Sequence, residues 1–202
     1  KRTICTSLSG LQQLKIIYQS GFLEIDDNEE LINLIGLNNI TSAHRVYIAS
    51  NDKLQNLNGL NQLGVIATDL NIAANPVLNS LEHLTNLSTV NSQVTIGNNP
   101  SLSSLKGLEG ITTTQQLNIN NNAGLSSLEG LENFESASSF VVSNNGALIN
   151  LQKLEKLWSV NSITISRNDL LIDLKGLENL INVRTKVSIV YNSNLETLEG
   201  IE

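Results

Sequence analysis

The sequence predicts a parallel β-solenoid, a chain wound into stacked coils with one short strand in each. Three observations carry that prediction. First, a leucine recurs at Leu8, Leu31, Leu54, Leu78, Leu102, Leu125, Leu148, Leu171 and Leu195, at intervals of 23 or 24 residues, and self-similarity at such a fixed period marks repeat architectures. Second, each unit follows one template: L-x-x-L-x-G-L-x-x-L-x-x-V, two or three free residues, then L-x-I-x-x-N. Third, all eight complete units close on asparagine, at Asn28, Asn51, Asn75, Asn99, Asn122, Asn145, Asn168 and Asn192.

Taken in order, each part of the template has a physical reading. The leucine run has period three, which fits neither a flat strand nor a long α-helix but suits a chain bending round a coil with every third side chain inward. The following pairs, from Leu23/Ile25 and Val46/Ile48 to Val187/Ile189, have period two, so both side chains point to one face of a short strand. A unit of this size cannot bury its own apolar face and must stack on the next, pairing strands in parallel. Eight coils at the strand spacing give a rod about 40 Å long. The extra residue of the longer units falls just before the strand pair and leaves the apolar register intact. The asparagine is expected to point inward, satisfying turn backbone that no strand reaches, so that one Asn per coil stacks into a ladder.

Composition narrows the function. The chain has 202 residues, 40% hydrophobic and only 3% aromatic, which fits one continuous core of stacked aliphatic side chains. A net charge of −7 argues against nucleic acid and anionic membrane surfaces as partners. No apolar run is long enough to span a bilayer. Cys5, the single cysteine, can form neither an internal disulfide nor a multi-cysteine metal site; it either sits in an N-terminal cap or pairs outside the chain. Residues 1–7 (KRTICTS) lack the template and are expected to cap the first coil, with 1–202 forming one repeat domain. The last residues, LEGIE, stop partway into a ninth unit without a polar cap, so the solenoid or its cap is expected to continue beyond Glu202.

Stretches such as LTNLSTVNSQVTIGNNPSLSSLKGLEGI (84–111) resemble the receptor L-domain family, whose members include ligand-binding lobes of growth-factor-receptor ectodomains and bacterial surface proteins. The resemblance covers about residues 8–201. It implies a right-handed, leucine-rich-repeat-like β-solenoid located outside the cell or at its surface, here in a bacterial version. The disulfides common in the animal receptors are absent, and no ligand-binding residues of theirs can be matched to this sequence.

Function is therefore sought on outward positions. On the strand face the first three coils present Phe22, Glu24 and Asp26, then Arg45, Tyr47 and Ala49, then Asp69, Asn71 and Ala73. The middle coils present small neutral polar residues. Solenoids bind through extended faces, and aromatic and Arg anchors dominate interface energetics, so Phe22, Glu24, Arg45, Tyr47 and Asp69 form the candidate contact patch. Trp158 is a further candidate, placed outward beside Ile181 of the next coil. The competing explanation is simple cross-strand stabilisation between neighbouring coils, as in Phe22/Arg45 and Glu30/Lys53.

The carboxylates of LEIDDNEEL (23–31) lack calcium-loop spacing and are expected to be a solvated turn; His44 and His83 are expected on surface loops. No metal or cofactor is expected. The middle coils offer no converging carboxylates or bases, and no nucleophile, zinc or phosphate-loop motif occurs, which points away from an enzyme. The leading expectation is a non-catalytic recognition or adhesion module for protein or glycan at a cell surface. The alternative is an inert spacer, and a carbohydrate-active solenoid enzyme is the least favoured class.

Overall fold

A computed structural model describes residues 5–17 and 20–201. The strands are β1 (Phe22–Asp26), β2 (Ser42–Ala43), β3 (Arg45–Ala49), β4 (Val65–Ile66), β5 (Asp69–Ala73), β6 (Thr89–Val90), β7 (Gln93–Gly97), β8 (Thr113–Asn120), β9 (Ser136–Ser143), β10 (Ser159–Ser166) and β11 (Asn182–Val190). The long sheet runs β1-β3-β5-β7-β8-β9-β10-β11, parallel throughout, and a minor sheet pairs β2-β4-β6. Among the described residues helix is confined to two 3-10 turns, Ser9–Leu11 and Glu82–Leu84. The chain is a parallel β-solenoid of right-handed type with about seven turns; eight strands in the long sheet are joined by seven circuits, which reconciles this number with the eight repeat units.

The period-three run closes successive tight turns. In one coil Leu54 N–H donates to Asn51 C=O, Leu60 N–H to Leu57 C=O and Leu63 N–H to Leu60 C=O, at 3.0–3.1 Å. Each turn advances three residues, so Leu54, Leu57, Leu60 and Leu63 all face inward and are fully buried. The glycine of the template sits where two coils touch: at Gly130 φ is +107°, and a Cβ there would lie 2.1 Å from the Leu105 carbonyl oxygen of the preceding coil. Only glycine fits without displacing backbone.

Neighbouring strands keep the core in register. Val46, Leu70, Val94, Leu117, Phe140 and Ile163 stack in one column, and Ile48, Ile72, Ile96, Ile119, Val142 and Ile165 in the next. The extra residue of the longer units has two outcomes. Ahead of β5 and β7 it lies between a short strand and the main strand, a division that the 23-residue coil carrying β2 and β3 also shows. In β11 the strand is continuous and the residue is taken up as a register shift opposite Val160/Ser162, the behaviour of a β-bulge.

After each strand the chain turns through one left-handed residue: Asp27, Ser50, Ala74, Asn98, Asn121, Asn144, Arg167 and Tyr191, with φ between 53° and 59°. The template asparagine follows. Its amide reaches back to the preceding coil twice: Asn122 Nδ2 donates to the Ile96 carbonyl at 3.0 Å, and Asn122 Oδ1 accepts from Asn99 N–H at 3.1 Å. The same pair of bonds recurs at Asn75, Asn99, Asn145 and Asn168. Asn51 to Asn168 are buried, and the outer two, Asn28 and Asn192, are half-buried.

Of the expected cap, residues 1–4 lie outside the described residues. Cys5 is a free, half-buried thiol.

Candidate functional site

The outer face of the long sheet is built from the side chains that alternate with the core columns. On β1, β3 and β5 the coil stacking brings Phe22, Arg45 and Asp69 together. Phe22 and Arg45 are register partners, and the guanidinium carbon lies 5.1 Å from the Phe22 ring centroid. The same guanidinium reaches forward to Asp69, with Nε and Nη2 at 2.9 and 2.8 Å from Oδ2. Arg45 is thus held from both sides. An exposed ion pair of this kind contributes at most about 1 kcal/mol to folding, but it fixes a cation and an aromatic ring at known positions on the surface. Phe22 stays 54% exposed.

Beside this pair lies a hollow of about 300 Å³ lined by Arg45, Tyr47, Asp69, Leu70, Asn71, Gln93 and Thr95. Its polar groups are partly tied down: Gln93 Nε2 donates to Thr95 Oγ1 at 2.7 Å. Asn71 Oδ1 is buried with no hydrogen-bond partner, a departure from the rule that buried polar atoms are paired. Glu24, the register partner of Tyr47, is exposed on β1. Three of the six candidate residues, Arg45, Tyr47 and Asp69, therefore line the hollow, Phe22 contacts Arg45, and Glu24 pairs in register with Tyr47.

Trp158 is elsewhere. It is 48% exposed at the residue before β10, and its carbonyl accepts from Ile181 N–H on the next coil at 3.2 Å. Four strands of the sheet, β5, β7, β8 and β9, separate β10 from β3. Trp158 and Ile181 are neighbours as expected, but they do not join the Tyr47 hollow.

A second hollow, of about 410 Å³, crosses β8, β9 and β10 and is lined by Thr113, Thr114, Gln115, Ser136, Ala137, Ser138, Ser159 and Asn161, with Asn91 and Arg184 at its margins. Its floor lies at the last apolar position of the template. There Ile66, Val90 and Val160 carry branched aliphatic side chains, whereas Ala43 and Ala137 carry a methyl group and Thr114 a hydroxyl. Reading the outward strand positions alone misses it, because the hollow also draws in the inward positions Thr114 and Ala137.

In the acidic segment, Glu30 is committed to Lys53 Nζ at 2.7 Å. Among the described residues no three His, Cys, Asp or Glu side chains come close enough to hold a metal ion. Two lysines, Lys106 and Lys175, are raised above the ordinary value of 10.5, first through side-chain hydrogen bonds to Glu82 and Glu199 and then through the charges of those same carboxylates. Both lie in the turns of the leucine run rather than on the strand face. Among the described residues no helix is long and apolar enough to cross a membrane.

Comparison with protein-family models finds no match for this chain, and neither curated proteins nor solved structures give one.

Proposed function

We propose that this chain is a non-catalytic recognition or adhesion module that acts outside the cell or at its surface, binding protein or glycan through the N-terminal part of its sheet face. The observation that carries this reading is the Arg45 guanidinium held between Phe22 and Asp69 beside the Tyr47 hollow. Anchors of this kind, aromatic and Arg side chains preorganised at low entropy cost, are the residues that dominate interface energies. The scaffold is of the leucine-rich-repeat-like, receptor L-domain type, and its column of asparagines acts as an internal ladder.

The non-catalytic part of the reading rests on the strand face of β7 to β10. Its outward residues, Gln93, Thr95, Gly97, Gln116, Asn118, Asn120, Ser139, Val141, Ser143, Ser162, Thr164 and Ser166, include no charged side chain. Hydrolysis of a glycan requires a pair of carboxylates flanking the bond, and this surface supplies none. The same bland stretch favours the second reading, a spacer that holds other domains away from a surface.

The two are separated by screening the immobilised chain against glycan, extracellular-matrix and cell-surface protein panels, with Tyr47→Ala and Arg45→Ala in parallel. A specific partner lost in either variant is the expected result. Binding that survives both substitutions, or silence across all panels, would overturn the assignment of the Tyr47 face and leave the spacer.

A further inference from the structure

The hollow across β8, β9 and β10 has the form of a track. Its floor is Thr114 and Ala137, each 8% exposed, and Thr114 is fixed by its Oγ1, which donates to the Ser92 carbonyl at 2.9 Å. On one side of the floor Thr113, Ser136 and Ser159 are register partners on successive strands. On the other side Gln115 and Ser138 follow the floor residues of their own strands, and Asn161 follows Val160, the register partner of Ala137. Hydroxyl and amide groups, each able to donate and accept, thus repeat on both sides at the spacing of parallel strands, about 4.8 Å.

Arg184, on β11, stands at the far margin of this track. Its charge is uncommitted: among the described residues it makes no ion pair, whereas Arg45, Lys53, Lys106 and Lys175 each hold a carboxylate and Arg167 lies over the Tyr191 ring. No Asp or Glu lines the hollow. The surrounding segment also departs from the chain as a whole. Residues 151–190 carry six Lys and Arg against four Asp and Glu, a local excess of positive charge in a chain of net charge −7.

We propose that this track is a second binding site, where a linear oligosaccharide lies across the strands over Thr114 and Ala137 and presents a carboxylate to Arg184. The ligand class follows from what the lining offers. Polar rails repeating from strand to strand match a polymer whose hydroxyls repeat along its length. A peptide would require an apolar pocket or a free strand edge, and β8, β9 and β10 are each paired on both sides. A nucleic acid would need many cations along its path, and the track has one. The guanidinium fork suits a carboxylate. This site is separate from the Tyr47 face, which lies on β3, β5 and β7.

The test is calorimetric titration of the whole chain with oligogalacturonides, alginate oligomers and sialylated oligosaccharides, each beside its carboxyl-reduced neutral form. At least one acidic oligomer is expected to bind, with its reduced form weaker by about tenfold or more. Arg184→Ala should weaken the acidic form by a similar factor and abolish the difference between the two forms, and Arg184→Lys should restore part of it. Ala137→Val, which installs the side chain already present at Val90 and Val160, should fill the floor and remove binding of both forms while the melt stays put; Gln115→Ala tests the rail without touching the core. Tyr47→Ala should leave all of this unchanged, whatever it does at its own face. Absence of binding by every acidic oligomer, equal affinity for acidic and reduced forms, or indifference to Arg184→Ala would each overturn the proposal.

Discussion

Replacing Asn122 with alanine removes one rung from the middle of the asparagine column, and its cost can be worked out from the bonds it makes. Asn122 is fully buried. Its Nδ2 serves the Ile96 carbonyl at 3.0 Å, and its Oδ1 serves the Asn99 amide at 3.1 Å. Alanine leaves both backbone groups orphaned inside the solenoid, each at about 1–3 kcal/mol, so the loss should be about 2–6 kcal/mol before any relaxation. Asn28→Ala is the control. Asn28 is half-buried at the first coil, and its side chain bonds the Asp26 carbonyl and Asn51 Oδ1, so its loss should cost clearly less. Repeat arrays can lose two-state behaviour, so urea unfolding should be followed by both far-ultraviolet circular dichroism and amide hydrogen exchange. Exchange should quicken most at the Asn99 amide, whose acceptor is gone. A cost for Asn122→Ala below about 1 kcal/mol, or an Asn99 amide no faster than in wild type, would refute the reasoning.

Other perturbations probe other links. Gly130→Ala forces a Cβ to within 2.1 Å of the Leu105 carbonyl oxygen at φ +107°, so it should destabilise by more than about 1 kcal/mol, read as a lower urea midpoint. Ala74→Asn places a left-handed-tolerant residue at φ +54°, the type already used at Asn98, Asn121 and Asn144, and should raise stability by a few tenths of a kcal/mol. Asp69→Ala frees the Arg45 guanidinium but breaks only an exposed pair, so the melt should move by less than about 1 kcal/mol while binding at the Tyr47 face weakens. For Lys106 and Lys175, folding raises the affinity for the proton. Their contribution is therefore complete below the ordinary value of 10.5 and is lost only as pH rises through the higher folded values. Substituting Glu82 and Glu199 together with Gln should therefore remove that small contribution at neutral and mildly alkaline pH, and the difference from wild type should vanish as pH rises past the lysines' folded values.

The sequence announced the scaffold because every coil repeats the same physical demand. Leu54 and its equivalents recur wherever a turn of three points a side chain inward, and the asparagine recurs wherever the turn after a strand leaves backbone to satisfy. Features that vary from coil to coil were harder to read. The left-handed residue before each asparagine is Ser50, Ala74, Arg167 or Tyr191 in some coils, so no glycine marks the turn, and the backbone bonds between coils alone reveal it. The extra residue before Val187 reads as a loop insertion but becomes a bulge in β11, because strand pairing on β10 carries the chain through. At the candidate face the contact between Phe22, Arg45 and Asp69 follows from the repeat spacing, whereas the orphaned Asn71 oxygen depends on side-chain packing that the spacing does not encode. Thr114 and Ala137 look like tolerated variants of the template valine; the hollow they line spans three coils and exists only once those are stacked.

The most direct measurement of the functional claim is a paired one: affinity for a panel-identified partner and thermal midpoint, recorded on the same preparations of wild type, Tyr47→Ala and Asn122→Ala. If the N-terminal sheet face binds and the asparagine column only supports it, Tyr47→Ala loses affinity at an unchanged midpoint, and Asn122→Ala lowers the midpoint while the folded fraction binds as tightly as wild type. A Tyr47→Ala chain that binds like wild type would contradict the claim, and so would an Asn122→Ala chain that melts normally but loses its partner.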